Sequence, residues 1–276
     1  MSTYAEKLAR ARTSLENKEH QQAVKEYLEA LKDAPNDQQR AYIWAEVGVL
    51  FYNMGAFDRA IEAIENTLKY DAGYQEKEDL YRLMGFSYSQ LGKDEKALDY
   101  LQKSAKINDL SEKQQITLYE IAKLHFRQQR YDDAKVILQE IEPYFYQNNK
   151  EYWLSVLFYK GFVLYYQNDL AASEQVFEEL LENAKDKKRK ATALFGLAFI
   201  MFQRKQYLNT INLCEAITNH NEQFFDMETL GYLTAASFYH LGRKDVFEKY
   251  YQQLVRKYPD GRYREELEKL NTAGNN

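Results

Sequence analysis

The 276-residue sequence predicts an all-α solenoid, made by repeating one helix–turn–helix unit along the chain. The segment WAEVGVLFYNMGAFDRAIEAIENTLKYD, beginning at Trp44, recurs as YRLMGFSYSQLGKDEKALDYLQKSAKIND from Tyr81. It returns more loosely as LYEIAKLHFRQQRYDDAKVILQEI from Leu118 and FYKGFVLYYQNDLAASEQVFEELL from Phe158. A small residue opens the core of each second helix, at Ala23, Ala60, Ala97, Ala134, Ser173 and Thr210, and the bulkier Phe247 takes the seventh equivalent. Successive spacings of these positions are 37, 37, 37, 39, 37 and 37. Three prolines and eleven glycines are too few for a loop-rich sheet protein. A mean hydropathy of −0.68 beside 45% hydrophobic side chains describes paired amphipathic helices with one wet face.

Taken in order, the repeats span about 4–37, 41–74, 78–111, 115–148, 154–187, 191–224 and 228–261. A polar capping helix follows at about 262–271, after the PDG turn, with Tyr263 to Leu270 as its centre. No linker-like segment divides the chain, so residues 1–276 read as a single solenoid. Gly48, Gly85 and Gly161 fall mid-helix at a propensity cost of about 0.5–1 kcal/mol, which is sensible where two helices approach closely. Tyr27, Leu101, Leu138 and Phe177 recur four residues after the small position and share its helical face. Thr3 with Glu6, and Ser111 with Gln114, have capping-box spacing. Pro143 is placed to end or kink the second helix of the fourth repeat.

These residue types resemble the tetratricopeptide repeat family, whose pattern runs W, L-G, Y, A, F, A and P. The first repeat carries Ala11, Ala23, Tyr27, Ala30 and Pro35, and the second Trp44, Val47, Gly48, Phe51 and Ala60 with Gly55 at the turn. The third carries Tyr81, Met84, Gly85, Tyr88, Gly92 and Ala97, and the seventh closes with Ala235, Phe238, Gly242, Tyr251, Leu254 and Pro259. The period departs from the family's by three residues, which fall before each first helix, in Asp37–Gln39, Tyr74–Glu76 and Ser111–Lys113. Three residues are about one helical turn, so longer first helices are expected there.

The resemblance implies a right-handed superhelix with first helices lining its concave face. Repeat alignment then points Phe158, Phe162, Tyr165 and Tyr166 inward, followed by Phe195, Phe199 and Phe202, then Tyr232 and Tyr239 beside His240. Aromatic rings in a concavity suit a helix or an extended peptide. Tyrosines are the better contacts, since each hydroxyl seeks water or a polar partner, whereas the phenylalanines also suit a packed core. Arg82, Lys123 and Arg127 form a more basic middle stretch fit for an acidic segment or a carboxylate. The clamp by which co-chaperones of this family hold a C-terminal carboxylate maps onto Leu8, Arg12, Val49, Asp79 and Arg82, where only Arg82 matches a required charge.

Other chemistry has little support. The histidines His20, His125, His220 and His240 are scattered over different repeats and make no metal motif, and no phosphate-cradling glycine loop is present. Cys214 has no partner cysteine and lies on a repeat core position. The run Lys185–Lys190 follows acidic Glu178–Glu182 and reads as a solvated helix end. A net charge of −5 gives no electrostatic reason to expect nucleic acid. The N-terminus has no apolar signal core and no window has the apolar length of a membrane span. The expectation is a cytoplasmic adaptor or scaffold, not an enzyme, needing no cofactor or metal and holding another protein or peptide. A self-assembling homo-oligomeric module is the alternative, as is the peptide-sensing part of a bacterial regulator, although no helix-turn-helix precedes Tyr4.

Overall fold

A computed structural model describes residues 3–106 and 111–274, and among these it contains fifteen helices and no strand. The chain divides into two compact units, Met1–Arg130 and Tyr131–Asn276. Unit 1 holds α1 (Tyr4–Glu16), α2 (His20–Leu31), α3 (Asp37–Asn53), α4 (Phe57–Tyr70), α5 (Lys77–Gln90), α6 (Asp94–Ser104) and α7 (Glu112–Arg127). Unit 2 holds α8 (Tyr131–Asn148), α9 (Lys150–Tyr166), α10 (Leu170–Asn183), α11 (Lys187–Gln203), α12 (Tyr207–His220), α13 (Met227–His240), α14 (Lys244–Lys257) and α15 (Arg264–Gly274). Within each unit every helix packs on its sequence neighbours, and alternate helices such as α3 with α5 and α9 with α11 also touch. This is the stacking of an all-α solenoid, in which each hairpin covers its apolar side with the next.

The small positions explain how the hairpins close. Ala23, Ala60, Ala97, Ala134, Ser173 and Thr210 are fully buried, and so are Tyr27, Leu101, Leu138 and Phe177 one turn later. Ser173 also donates its hydroxyl to the Gly161 carbonyl at 2.8 Å, which ties α10 to α9.

The turns inside the hairpins share one backbone device. A residue with positive φ occurs at Lys18, Gly55, Gly92, Gln129, Asn168, Lys205 and Gly242. After each, the next N–H returns to a carbonyl five residues earlier, as in Glu19 to Ser14, Lys93 to Tyr88 and Gln206 to Met201. Lysine and glutamine occupy this left-handed conformation at a cost of about 1–2 kcal/mol that glycine avoids. Glycine's extra freedom in the unfolded chain offsets part of the gain. Lys18→Gly and Lys205→Gly are therefore each expected to raise stability by about 0.5 kcal/mol, read as a higher urea midpoint.

The helix starts agree with the sequence in part. Thr3 makes both halves of a capping box with Glu6, while Ser111 accepts from the Gln114 N–H and the Gln114 side chain turns to the Ala105 carbonyl. Asp37–Gln39 lengthens α3, and Glu112 and Lys113 lie in α7. The third insertion behaves differently: Tyr74–Glu76 is a turn ahead of α5, not an added helical turn. The Asp71 carboxylate accepts the Gly73 N–H at 2.9 Å, and the Asp71 carbonyl accepts the Tyr74 N–H at 3.2 Å, which holds the chain out of the helix. Asn221 makes the equivalent turn ahead of α13. Pro143 does not end α8, which runs on to Asn148; the ring only deprives the Gln139 carbonyl of its helical donor.

Candidate ligand-binding faces

The aromatic residues singled out in unit 2 come together on α9, α11 and α13. Phe158, Phe195 and Tyr232 occupy equivalent positions on the three helices, and so do Tyr165, Phe202 and Tyr239 seven residues further along each. Seven residues are two helical turns, about 10.5 Å, so the rings form two levels along the helices. Ring centroids lie 5.4 Å apart for Phe162 and Phe199, 5.6 Å for Tyr165 and Phe199, and 5.0 Å for Phe195 and Phe199. Phe202 lies 6.2 Å from Tyr232 and 6.4 Å from His240, and Tyr239 packs edge-on against His240 and Phe247.

Depth separates these residues. Phe162 is only 5% exposed and Phe195 only 4%. Phe162 meets Phe177 of α10 edge-on at 5.0 Å, and Phe195 lies 5.1 Å from Phe224, so both rings are core. Phe158, Tyr165, Phe199, Phe202, Tyr232 and Tyr239 are half-buried and present surface. Among the described residues, the hydroxyls of Tyr165, Tyr232 and Tyr239 make no hydrogen bond to the protein. Burial, followed by the neighbouring phenols of Tyr166 and Tyr263, pushes Tyr165 up to about 12, so its hydroxyl keeps its proton and remains a donor.

Two residues outside the repeat alignment join this face. Phe225 precedes α13, is 64% exposed, and lies 5.5 Å from Phe195 and 6.4 Å from Phe158. Tyr263 precedes α15 and stacks parallel on Tyr232 at 4.2 Å, with its hydroxyl 3.0 Å from Thr229 Oγ1. Arg262 anchors that segment through Asp226 at 2.5 Å and Glu228 at 3.5 Å. The FF doublet and the PDGRYR sequence are visible signals, but both fall between helices, where repeat alignment assigns no direction.

The basic residues of unit 1 are already paired. Arg82 meets Asp79 at 2.8 Å, and Lys123 reaches both Glu120 oxygens at 2.8 and 2.9 Å. Arg127 makes a two-pronged contact with Asp94 at 3.0 and 2.6 Å and also donates to Ser89 at 3.0 Å. The residues of the expected basic stretch are thus each engaged in an ion pair within unit 1, Arg82 sharing Asp79 with Lys113.

Elsewhere in unit 1 a half-buried carboxylate, Glu46, lies among the hydroxyls of Tyr42 and Tyr27 near Arg12, whose guanidinium donates to the Tyr42 hydroxyl at 3.2 Å. Burial raises the Glu46 pKa, with Glu76 adding repulsion, and outweighs the opposing influence of the Tyr42 hydroxyl, the Arg12 charge and the Tyr27 hydroxyl. A carboxyl whose folded pKa exceeds its unfolded value stabilises the fold only while protonated. Stability is therefore lost as pH rises from the unfolded value, about 4.3, through the raised one. Glu46→Gln is expected to raise the urea midpoint at pH 7.5 and to give no gain at pH 4. An equal gain at both values would assign the effect to packing.

Cys214 is buried and pushed up to about 11 by desolvation, so its thiol is not a nucleophile at neutral pH. Among the described residues no three His, Cys, Asp or Glu side chains are grouped to hold a metal ion, and no helix is long and apolar enough to cross a membrane.

Family models described as tetratricopeptide repeat match residues 79–109 and 229–261. A search of curated proteins gives no match. Among solved structures, the chain is similar to the apo form of RapI, with a TM-score of 0.66 and 17% identity over 94% of this chain and 76% of that one. It is similar to PilW, a widely conserved type IV pilus biogenesis factor, with a TM-score of 0.62 and 16% identity over 80% of this chain and 95% of that one. YrrB, described as a TPR protein with an unusual peptide-binding site, gives a TM-score of 0.52 and 14% identity over 66% of this chain and 87% of that one. At such identities the likeness concerns the fold.

Proposed function

Because this chain is a tetratricopeptide-repeat protein, we propose that it is a protein-interaction scaffold that holds a segment of another protein against the α9–α11–α13 face. The observation that carries this reading is the row of half-buried rings with unpartnered hydroxyls at Tyr165, Tyr232 and Tyr239. Such side chains bring large apolar area at low entropy cost together with a polar handle, which is why they concentrate binding energy at interfaces. The peptide-binding description of YrrB, a protein of similar fold, agrees with it. The protein works without chemistry, by presenting a rigid surface of stacked helices.

The test is affinity capture from a cell extract on immobilised wild-type chain and on the Phe199→Ala/Tyr232→Ala double variant, with captured proteins identified by mass spectrometry. Loss of two buried contacts should reduce retention of the specific partner more than about 30-fold, while far-UV circular dichroism stays helical. An unchanged captured set moves the binding face elsewhere. A wild-type chain that captures nothing and elutes as a defined oligomer replaces the scaffold reading with self-assembly.

A further inference from the structure

The α9–α11–α13 face is rich in aromatic area and hydrogen-bond donors but poor in charge. Other phenols are the neighbours that act electrostatically on Tyr165, and Glu266 is the one formal charge acting on Tyr232. Two ionic groups nearby are internally satisfied, Lys160 of α9 by Glu142 at 2.7 Å and Arg204, just after α11, by Glu174 at 2.7 Å. A strongly charged segment gains nothing here. An α-helical segment has the right spacing, since two of its turns also cover about 10.5 Å. Its carbonyls, however, are spent on its own helix, and burying Tyr165, Tyr232 and Tyr239 beneath it would strand three hydroxyl donors, each a substantial penalty. An ordinary extended strand supplies free carbonyls but also free N–H groups, for which the face offers few acceptors.

One backbone meets all three requirements. A polyproline II strand keeps every carbonyl free, lacks N–H groups at its prolines, and repeats every three residues over about 9.3 Å, close to the distance between the two aromatic levels. Aromatic-lined grooves take such strands because they are already ordered before binding.

Resting on the scaffold reading above, we propose that this face binds a proline-rich segment in the polyproline II conformation. Its carbonyls three residues apart accept the hydroxyls of Tyr232 and Tyr239 on the two levels, another accepts that of Tyr165, and a pyrrolidine ring between them lies against Phe199 and Phe202, one helical turn apart. The Tyr263 ring, stacked against Tyr232, borders the C-terminal end of the face.

The full-length chain titrated with decaproline tests this, beside an apolar amphipathic helical peptide and an acidic peptide of equal length. Calorimetry or amide chemical shifts provide the readout. Saturable decaproline binding with a Kd below about 1 mM is expected, stronger than for either control. Tyr165→Phe, Tyr232→Phe and Tyr239→Phe keep the rings and remove only hydroxyls, and each should weaken decaproline binding about 5-fold without changing thermal unfolding. The proposal is overturned if decaproline fails to bind, if the helical peptide binds more tightly, or if the three phenylalanine variants bind decaproline like wild type. In those cases a partner that is captured by wild type and lost in the Phe199/Tyr232 double variant preserves the scaffold reading. If that partner is also absent, both readings fall.

Discussion

Truncating Phe177 to alanine is expected to cost unit 2 about 3–5 kcal/mol, at the upper end for a single aromatic core deletion. The ring is fully buried, and it lies over two glycines on different helices, Gly161 of α9 and Gly196 of α11. A Cβ added at Gly161 would come within 2.6 Å of the ring, and one at Gly196 within 2.3 Å. Two walls beside the ring are therefore bare backbone, with Phe162, edge-on at 5.0 Å, bordering it as another ring, so the space it leaves closes only in part and a large residual cavity is expected. The converse replacement, Gly196→Ala, should also destabilise, by about 1–3 kcal/mol, because the ring has nowhere to retreat. Combined, the two changes should be strongly non-additive: with Phe177 absent, the new methyl fills part of the hole and Gly196→Ala becomes neutral or stabilising. Urea unfolding followed by Trp153 emission, in a Trp44→Phe background, reports unit 2 separately. Additive losses would mean that the ring and the glycine do not share one space.

That contact is also where the sequence was most informative. Phe177 stands four residues after Ser173, the offset that joins Tyr27 to Ala23, Leu101 to Ala97 and Leu138 to Ala134, and all are fully buried. Helical pairing follows from such offsets because side chains four apart must share a face. Depth on that face does not follow. Phe195 aligns with Phe158 and Tyr232, and Phe162 with Phe199, as inward positions, yet a facing ring from α10 covers Phe162 and Phe224 covers Phe195. Phe225 and Tyr263 were invisible to alignment because they sit in segments joining one hairpin to the next. The fate of the basic residues was half legible: Asp79 with Arg82 and Glu120 with Lys123 have the three-residue spacing of helical ion pairs. Asp94, the partner of Arg127, is 33 residues away and is found only once α6 packs against α7. The insertions diverge for a local reason, since Asp71 and Gly73 supply a turn before α5 that Asn36, capping α3 through the Gln39 N–H, does not.

The second large effect separates two glycines that repeat alignment treats as the same. Gly85→Ala is expected to destabilise unit 1 by about 2 kcal/mol, whereas Gly48→Ala, 37 positions earlier, should be close to neutral. Either alanine gains about 1 kcal/mol of helix propensity, so the difference rests on what the new methyl meets. At Gly85 it would stand 2.5 Å from Leu101 Cγ and 3.1 Å from the Ala97 carbonyl oxygen. Leu101 branches at the atom being struck and is fully buried, and the carbonyl belongs to the α6 backbone, so relief requires the helix itself to move. At Gly48 the nearest atom is Ile64 Cγ1 at 3.0 Å, which has to give by only a few tenths of an ångström, and the Ala60 carbonyl stands back at 3.6 Å. Urea unfolding read by Trp44 emission, in a Trp153→Phe background, compares the two within unit 1. Adding Leu101→Ala should remove most of the Gly85→Ala penalty by clearing the contact. Equal losses at the two glycines, or no relief from Leu101→Ala, would show that close approach of α5 and α6 is not what demands a bare backbone at Gly85.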